Sequence, residues 1–249
     1  MIPNERLFGL IGYPLSHSFS KKYFTEKFME NKISNCRYEL FPISSIALLK
    51  NIIDDHPTLC GLNVTIPYKE SVFPFLDKVS VQVQEIGACN CIRIRNGILE
   101  GFNTDVIGFE RMLLPFIQPH HQRALILGTG GAAKAVAWVL NKIGINFLYV
   151  SREADNQKIS YQEVDSHIMR DYSIVINTTP LGMSPSLEAC PDIPYSDATA
   201  QHLFVDLIYN PSKTKFLGLA EKQGASIVNG LEMLIIQAEE SWKIWNEKI

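Results

Sequence analysis

Paired cysteine motifs, a long apolar run and an excess of one charge are all missing from this 249-residue chain. Its five cysteines, Cys36, Cys60, Cys89, Cys91 and Cys190, are odd in number and irregularly spaced. That excludes a disulfide framework and fits a reducing, cytoplasmic compartment. Cys89-Asn-Cys91 has neither a second cysteine pair nor a nearby histidine, so the usual zinc-ligand spacings are not met and no metal is expected. Residues 1–6 carry no basic segment followed by an apolar one, which argues against a secretory leader. No apolar run approaches the ~18 residues of a membrane span. A formal charge of -3 and a pI near 6.1 give no field to attract nucleic acid or an anionic membrane. What is present, 46% hydrophobic and 20% charged residues, is ordinary for a globular protein of one large or two modest domains.

The chain opens with an apolar run at residues 6–11 ended by Gly12-Tyr-Pro14, a strand and a turn. Tyr23, Phe24 and Phe28 then recur at helical spacing. A second strand is expected at residues 37–41 and an amphipathic helix at 44–54, capped by Ser44 or Ser45. In residues 61–70, Leu62, Val64 and Ile66 alternate with Asn63 and Thr65, the period of a half-buried strand. Pro67 stops the strand and is suited to the first position of a helix running on to residues 71–75. Residues 78–86 fit a strand by their valine alternation and a helix by their polar neighbours. Asn96-Gly97 is a hairpin signal between two short strands. Strands and helices alternating in this way indicate an open α/β sheet with antiparallel strands at one edge. A helix follows Asn103-Thr-Asp105, and residues 115–122 read as a linker.

The second half is more specific. A buried strand at residues 123–128 runs into Gly128-Thr-Gly-Gly-Ala-Ala133, the G-x-G-x-x-A form of the dinucleotide fingerprint in its required setting of strand, turn and helix. Gly128 makes the turn, Gly130 lets backbone approach a pyrophosphate, and Ala133 allows close helix packing. The next strand, residues 146–150, ends in Ser151-Arg152 instead of the acid that would hold a ribose 2'-hydroxyl. The planar guanidinium of Arg152 suits a 2'-phosphate, favouring NADP(H) over NAD, while Glu153 argues the other way. Further strands at 173–177, 203–207 and 226–228 complete a doubly wound pattern, residues 184–200 read as loop, and a long C-terminal helix closes the chain.

Several residues admit both a structural and a chemical reading. Lys69, at a strand-to-helix junction, is either a surface lysine or one whose pKa the helix end lowers, suiting it to acid/base work. Ser18 and Ser20 are either a helix N-cap or, two apart in an extended segment, a seat for a carboxylate. Asp105 is either a first-turn carboxylate or a site residue. Gln237, beside the apolar stripe of the last helix, is either merely half-buried or able to reach a ligand.

Taken in order, Ser18-Phe-Ser20, Asn63-Val-Thr-Ile-Pro-Tyr-Lys69, Gly87-Ala-Cys-Asn90, Asn103-Thr-Asp105, Gly128-Thr-Gly-Gly-Ala132, Asn177-Thr-Thr-Pro-Leu-Gly-Met183, Tyr209-Asn-Pro211 and Met233-Leu-Ile-Ile-Gln237 resemble the shikimate dehydrogenase family. That resemblance implies two α/β domains: a mixed-sheet substrate domain (residues 1–103 and 229–249) and a Rossmann-like nucleotide domain (104–228), with the C-terminal helix returning to the first. It implies NADPH-dependent reduction of 3-dehydroshikimate, with Lys69 and Asp105 as the catalytic pair. Ser18, Ser20, Thr65, Asn90, Tyr209 and Gln237 would contact substrate. Gly128, Thr129, Gly130, Gly131, Ala132, Ser151, Arg152, Thr178, Thr179, Pro180, Met183, Leu207 and Gly230 would line the cofactor. It also makes residues 78–86 helical, and leaves a monomer or homodimer open. Cys91 stands where the family has Thr, and Ser151-Arg-Glu153 where Asn-Arg-Thr is common. A quinate-preferring dehydrogenase and a non-catalytic shikimate or nucleotide sensor are the alternatives.

Overall fold

The computed structural model describes residues 5–15 and 18–247. Residues 1–4 of the stretch where no leader is expected, and residues 248–249 of the expected last helix, lie outside them. The chain divides into two compact units, Met1–Thr104 with Ala238–Ile249, and Asp105–Gln237. The expected boundaries at 103/104 and 228/229 compare with 104/105 and 237/238 in this division.

The first unit holds β1 (Arg6–Gly12), α1 (Phe19–Glu30), β2 (Cys36–Pro42), α2 (Leu49–Asp55), β3 (Leu59–Val64), β4 (Lys78–Val79), α3 (Val81–Ile86), β5 (Cys91–Arg95) and β6 (Ile98–Phe102). Its sheet runs β2-β1-β3-β5-β6-β4. β1 is parallel to both β2 and β3, while β5 is antiparallel to β3 and β6. Asn96 and Gly97 both take positive φ (50° and 75°), as a tight two-residue hairpin requires. After Arg6, β1 is apolar because both its faces are covered: Leu7 and Ile11 pack with Leu49 and Ile52 of α2, and Phe8 and Leu10 with Phe24 and Phe28 of α1. The register of β3 shifts by one residue beside β1, pairing Leu7 with Leu59 but Phe8 with Gly61. Gly61 thereby faces the Trp245 indole, which a methyl group would strike. Trp245 is buried, stacks on Phe8 at 4.9 Å and donates from Nε1 to the Ile92 carbonyl at 2.9 Å.

Two expectations for this unit need correction. No helix opens at Pro67: residues 66–72 form turns, followed by a short 3-10 segment Phe73–Phe75. Ile66 is exposed instead of continuing the core face, because the strand ends at Val64. Residues 78–86 divide between the two readings, with Val79 in β4 and α3 beginning after the Ser80 cap, whose hydroxyl accepts from Val83 N.

The second unit comprises α4 (Asp105–Leu113), β7 (Arg123–Leu127), α5 (Gly131–Lys142), β8 (Asn146–Ser151), β9 (Lys158–Ser160), α6 (Ser166–Asp171), β10 (Ile174–Asn177), β11 (Leu203–Asp206), α7 (Lys215–Lys222) and β12 (Ser226–Val228). Its strands are all parallel in the order β12-β11-β10-β7-β8-β9. That is the doubly wound order, with its switch point between β7 and β10. β9 and α6 have no counterpart in the sequence reading. α8 (Leu231–Asn246) begins in this unit and ends in the first. Among the described residues no helix is long and apolar enough to cross a membrane, and no group of three or more His, Cys, Asp or Glu is placed to hold a metal ion.

Candidate active site

In the first unit the candidate residues gather at one end of the sheet. Residues 13–15 and 18–20 follow the carboxyl end of β1, and Thr65 to Lys69 follow that of β3. Antiparallel β5 starts at this end too, Cys91 pairing with Asn63, so Asn90 lies beside them. Backbone bonds tie the three segments: Thr65 N donates to Ile11 O (3.0 Å), Val64 N to Asn90 O (2.8 Å), and Cys89 N to Lys69 O (2.8 Å). A methyl group on Gly12 would strike the Thr65 side chain, so glycine lets the β1 exit close onto Thr65. The Tyr68 hydroxyl donates to Ile43 O at 2.6 Å and anchors the turn that carries half-buried Lys69. A turn stands here in place of a helix start, so Lys69 does not sit at a helix end.

The serine pair also differs from the extended arrangement expected. Ser18 is the N-cap of α1, its hydroxyl accepting from Lys21 N at 3.4 Å, and Ser20 already lies within the helix, buried. The cap nucleates the helix one residue too early for the two hydroxyls to alternate as on a strand.

Asn90 is held by Thr104. Its Oδ1 accepts from Thr104 N at 2.7 Å and its Nδ2 donates to Thr104 Oγ1 at 3.0 Å. Since a backbone N–H can only donate, the amide orientation is settled, with Oδ1 towards Thr104 N and Nδ2 towards Thr104 Oγ1. Thr104 Oγ1 lies 3.2 Å from Ser241 Oγ, Asn63 Nδ2 donates to Ser241 Oγ at 2.9 Å, and the Tyr38 hydroxyl donates to Asn63 Oδ1 at 2.8 Å. Buried Tyr38, Asn63, Ser241, Thr104 and Asn90 thus form one continuous network within the first unit. Burial holds the Tyr38 phenol well above its ordinary pKa, so it stays a donor. Sequence reading missed Tyr38 and Ser241 altogether; a period-breaking serine on the buried face of α8 was the available signal.

In the second unit, Asp105 opens α4 and is buried. Three residues on, Gly108 permits a close approach of α8: a methyl there would lie 2.6 Å from Met233 O and 3.3 Å from Gln237 Cβ. Residues three apart share a helix face, so Asp105 and buried Gln237 belong to the same α4–α8 contact. Gln237 Nε2 donates to Leu234 O at 2.9 Å.

The other candidates of this unit cluster at the carboxyl ends of the parallel strands. Gly128 turns the chain after β7 with φ 106°, and a methyl there would meet Thr178 Oγ1 at 2.7 Å. Thr178 donates from Oγ1 to Leu127 O at 2.7 Å, and Thr179 from Oγ1 to Asn177 Oδ1 at 2.6 Å. Gly130 is the N-cap of α5 without any side-chain cap bond, and open space lies where its side chain would be. Thr129 is exposed, Gly131 and Ala132 occupy the first turn, and Ala133 is buried. First-turn N–H groups facing open space at the end of a 12-residue helix fit a pyrophosphate. Gly230 packs on the Leu207 carbonyl. Pro180, Met183 and Arg152 are exposed, Ser151 and Tyr209 half-buried. The Ser151 hydroxyl donates to Glu153 O, closing a turn that leaves Arg152 at its tip. Lys158 pairs with Asp155 at 3.3 Å, while Arg152 is exposed.

Asp206, at the end of β11, is fully buried. Its carboxylate accepts from Ile208 N (3.0 Å), Asn177 Nδ2 (3.1 Å) and Thr214 Oγ1 (2.5 Å). Burial pushes the carboxyl up to about 6, outweighing the three donors that hold it down.

The family described as shikimate dehydrogenase substrate binding domain matches residues 10–92. A curated relative from Methanosphaera stadtmanae, a shikimate dehydrogenase (NADP(+)), is 35% identical over 260 residues, covering 96% of this chain and 91% of its own. The chain belongs to the shikimate dehydrogenase family. A shikimate dehydrogenase solved in complex with NADP+ superposes with a TM-score of 0.87 at 34% identity, covering 98% of this chain and 91% of its own. The shikimate 5-dehydrogenase of Thermus thermophilus, solved with NADP(H) and shikimate, gives 0.84 at 30% identity, over 97% and 93%. The mixed α/β architecture with a Rossmann-like sheet is therefore that of the family.

Proposed function

We propose that this chain is an NADP-dependent oxidoreductase that reversibly reduces 3-dehydroshikimate to shikimate, in aromatic amino acid biosynthesis in the cytoplasm. The observation that carries the reading is the near full-length match, 35% identity across 96% of the chain, to a shikimate dehydrogenase (NADP(+)). Two features of the molecule support it: a phosphate-ready helix start at Gly130 and Gly131, and a polar sheet end bearing Thr65, Lys69 and Asn90.

In this reading Ser18 and Ser20 hold the substrate carboxylate, and Thr65, Lys69, Asn90, Asp105, Tyr209 and Gln237 hold the ring and its hydroxyls. The cofactor, when bound, supplies the hydride that reaches the C3 carbonyl carbon. Lys69 stabilises the charge growing on the C3 oxygen and donates a proton to it; in the oxidative direction it takes that proton back. Asp105 fixes and polarises the same centre. The backbone N–H groups of Gly131 and Ala132 receive the pyrophosphate, with Thr178, Thr179, Leu207 and Gly230 lining the remainder. Arg152 pairs with the 2'-phosphate. The test is reduction of NADP+ and of NAD+, each with shikimate and with quinate. NADP+ with shikimate should give the highest kcat/KM. A higher kcat/KM for quinate would replace this reading by the quinate one, and no activity with either would leave a binding protein.

A further inference from the structure

One buried carboxylate ties together the exits of β10 and β11. Asp206 Oδ1 accepts from Ile208 N at 3.0 Å and from Asn177 Nδ2 at 3.1 Å, while its Oδ2 accepts from Thr214 Oγ1, the N-cap of α7. The bond to Asn177 governs more than one amide. Asn177 Oδ1 accepts from Thr179 N at 3.0 Å, which can only donate, so Nδ2 is the end that faces Asp206 and, at 3.3 Å, the Leu181 carbonyl. Oδ1 also takes the Thr179 hydroxyl proton at 2.6 Å, and Thr179 Oγ1 accepts in turn from Leu181 N at 3.3 Å. Residues 177–181 are thus tied to one orientation of one amide. They pack directly on the glycine turn after β7, since a methyl on Gly128 would meet Thr178 Oγ1 at 2.7 Å and Thr179 Cγ2 at 3.1 Å. Thr178 gives its own proton to Leu127 O at 2.7 Å. With both hydroxyl protons committed within the protein, this turn shapes the site by where it stands and not by donating from either threonine.

We propose that Asp206 is a positioning residue for the cofactor, acting through Asn177 to hold residues 177–181 against the Gly128 turn. The inference rests on the functional reading above, in which Thr178 and Thr179 line the cofactor. Without the Asp206 bond one buried Asn177 N–H loses its acceptor, and an amide that turns to find another takes the Thr179 bonds with it. Asp206, fully buried, acts on the site only through these bonds.

Calorimetric titration with NADP+ and, separately, with shikimate tests this, with thermal unfolding followed alongside. Asp206→Ser keeps an acceptor for Ile208 N, since a serine hydroxyl closes the same local turn, but is too short to reach Asn177. It should raise the NADP+ dissociation constant about tenfold and leave the shikimate constant within about twofold. Asp206→Asn keeps the acceptor for Asn177 and should hold NADP+ affinity within about twofold of the unmutated chain. Asn177→Ala removes the bond from its other end and should weaken NADP+ at least as much as Asp206→Ser, and combining the two should cost little more. Where Asp206→Ser does not fold, Asn177→Ala and Asp206→Asn give the same contrast. Unchanged NADP+ binding in Asp206→Ser or Asn177→Ala, an equal loss of shikimate binding, additive effects, or Asp206→Asn binding as weakly as Asp206→Ser overturns the inference while leaving the dehydrogenase reading intact. Failure of the unmutated chain to bind NADP+ overturns both.

Discussion

Asp206 offers the sharpest physical test of the nucleotide-binding unit. Its carboxyl, ordinarily at 3.8, is pushed up to about 6 by burial. Between those values the folded state binds the proton more tightly than the unfolded chain. The resulting stabilisation is complete below about pH 3.8 and is lost as pH rises through about 6. At about 1.36 kcal/mol per pH unit the loss is about 3 kcal/mol. Asp206→Asn keeps the acceptor for Ile208 N and Asn177 Nδ2, and the Thr214 hydroxyl can turn to accept from the new amide. Its stability relative to the unmutated chain should therefore rise by about 3 kcal/mol on going from about pH 4 to pH 7. That corresponds to about 6–12 °C in thermal midpoint for a chain of this size. Differential scanning calorimetry of both proteins across the range measures it, and every other titrating group cancels in the difference. A difference that stays constant with pH would refute the reasoning, as would one that grows towards acid.

Three further outcomes are expected. Lys69→Ala should cut kcat about a hundredfold or more with a much smaller effect on KM, checked by steady-state kinetics with shikimate; near-normal turnover would remove Lys69 from the chemistry. Arg152→Ala should raise the KM for NADPH about tenfold or more and leave that for NADH little changed, and equal effects on the two would end the 2'-phosphate assignment. Gly61→Ala should destabilise the first unit by about 1–3 kcal/mol, because the added methyl displaces the Trp245 indole from the Ile92 carbonyl. Unfolding followed by tryptophan fluorescence reads this, and an unshifted midpoint would mean the indole repacks without loss.

What could be read in the sequence was whatever is local. Gly128, Gly130 and Ala133 mark a strand, turn and helix within six residues, and Asn96-Gly97 marks a hairpin in two. The Lys69 turn was misread because Pro67 suits a helix start and a turn equally well, and nothing nearby decides between them. Ser20 was misread because the position of one cap, Ser18, determines whether it is extended or helical. The short β9 offers too few residues to show a period. The polar network lay out of reach for a different reason: Asn63 and Ser241 are 178 positions apart, and no pattern along the chain pairs them. Asp206 reads as an ordinary strand-end carboxylate until its burial is known.

The packing of Trp245 against Phe8 and Gly61 also bears on the order in which a ribosome can deliver this protein. Domains commonly fold in the order they are synthesised. Here the unit that starts at the N-terminus lacks part of its core until residues 238–247 emerge, after the whole of Asp105–Gln237. The nucleotide-binding unit can be complete while the substrate-binding unit, begun first, still waits for its last helix. A nascent chain arrested before Trp245 should therefore expose the apolar faces of Phe8 and Phe24 and make this unit the one that calls on chaperones.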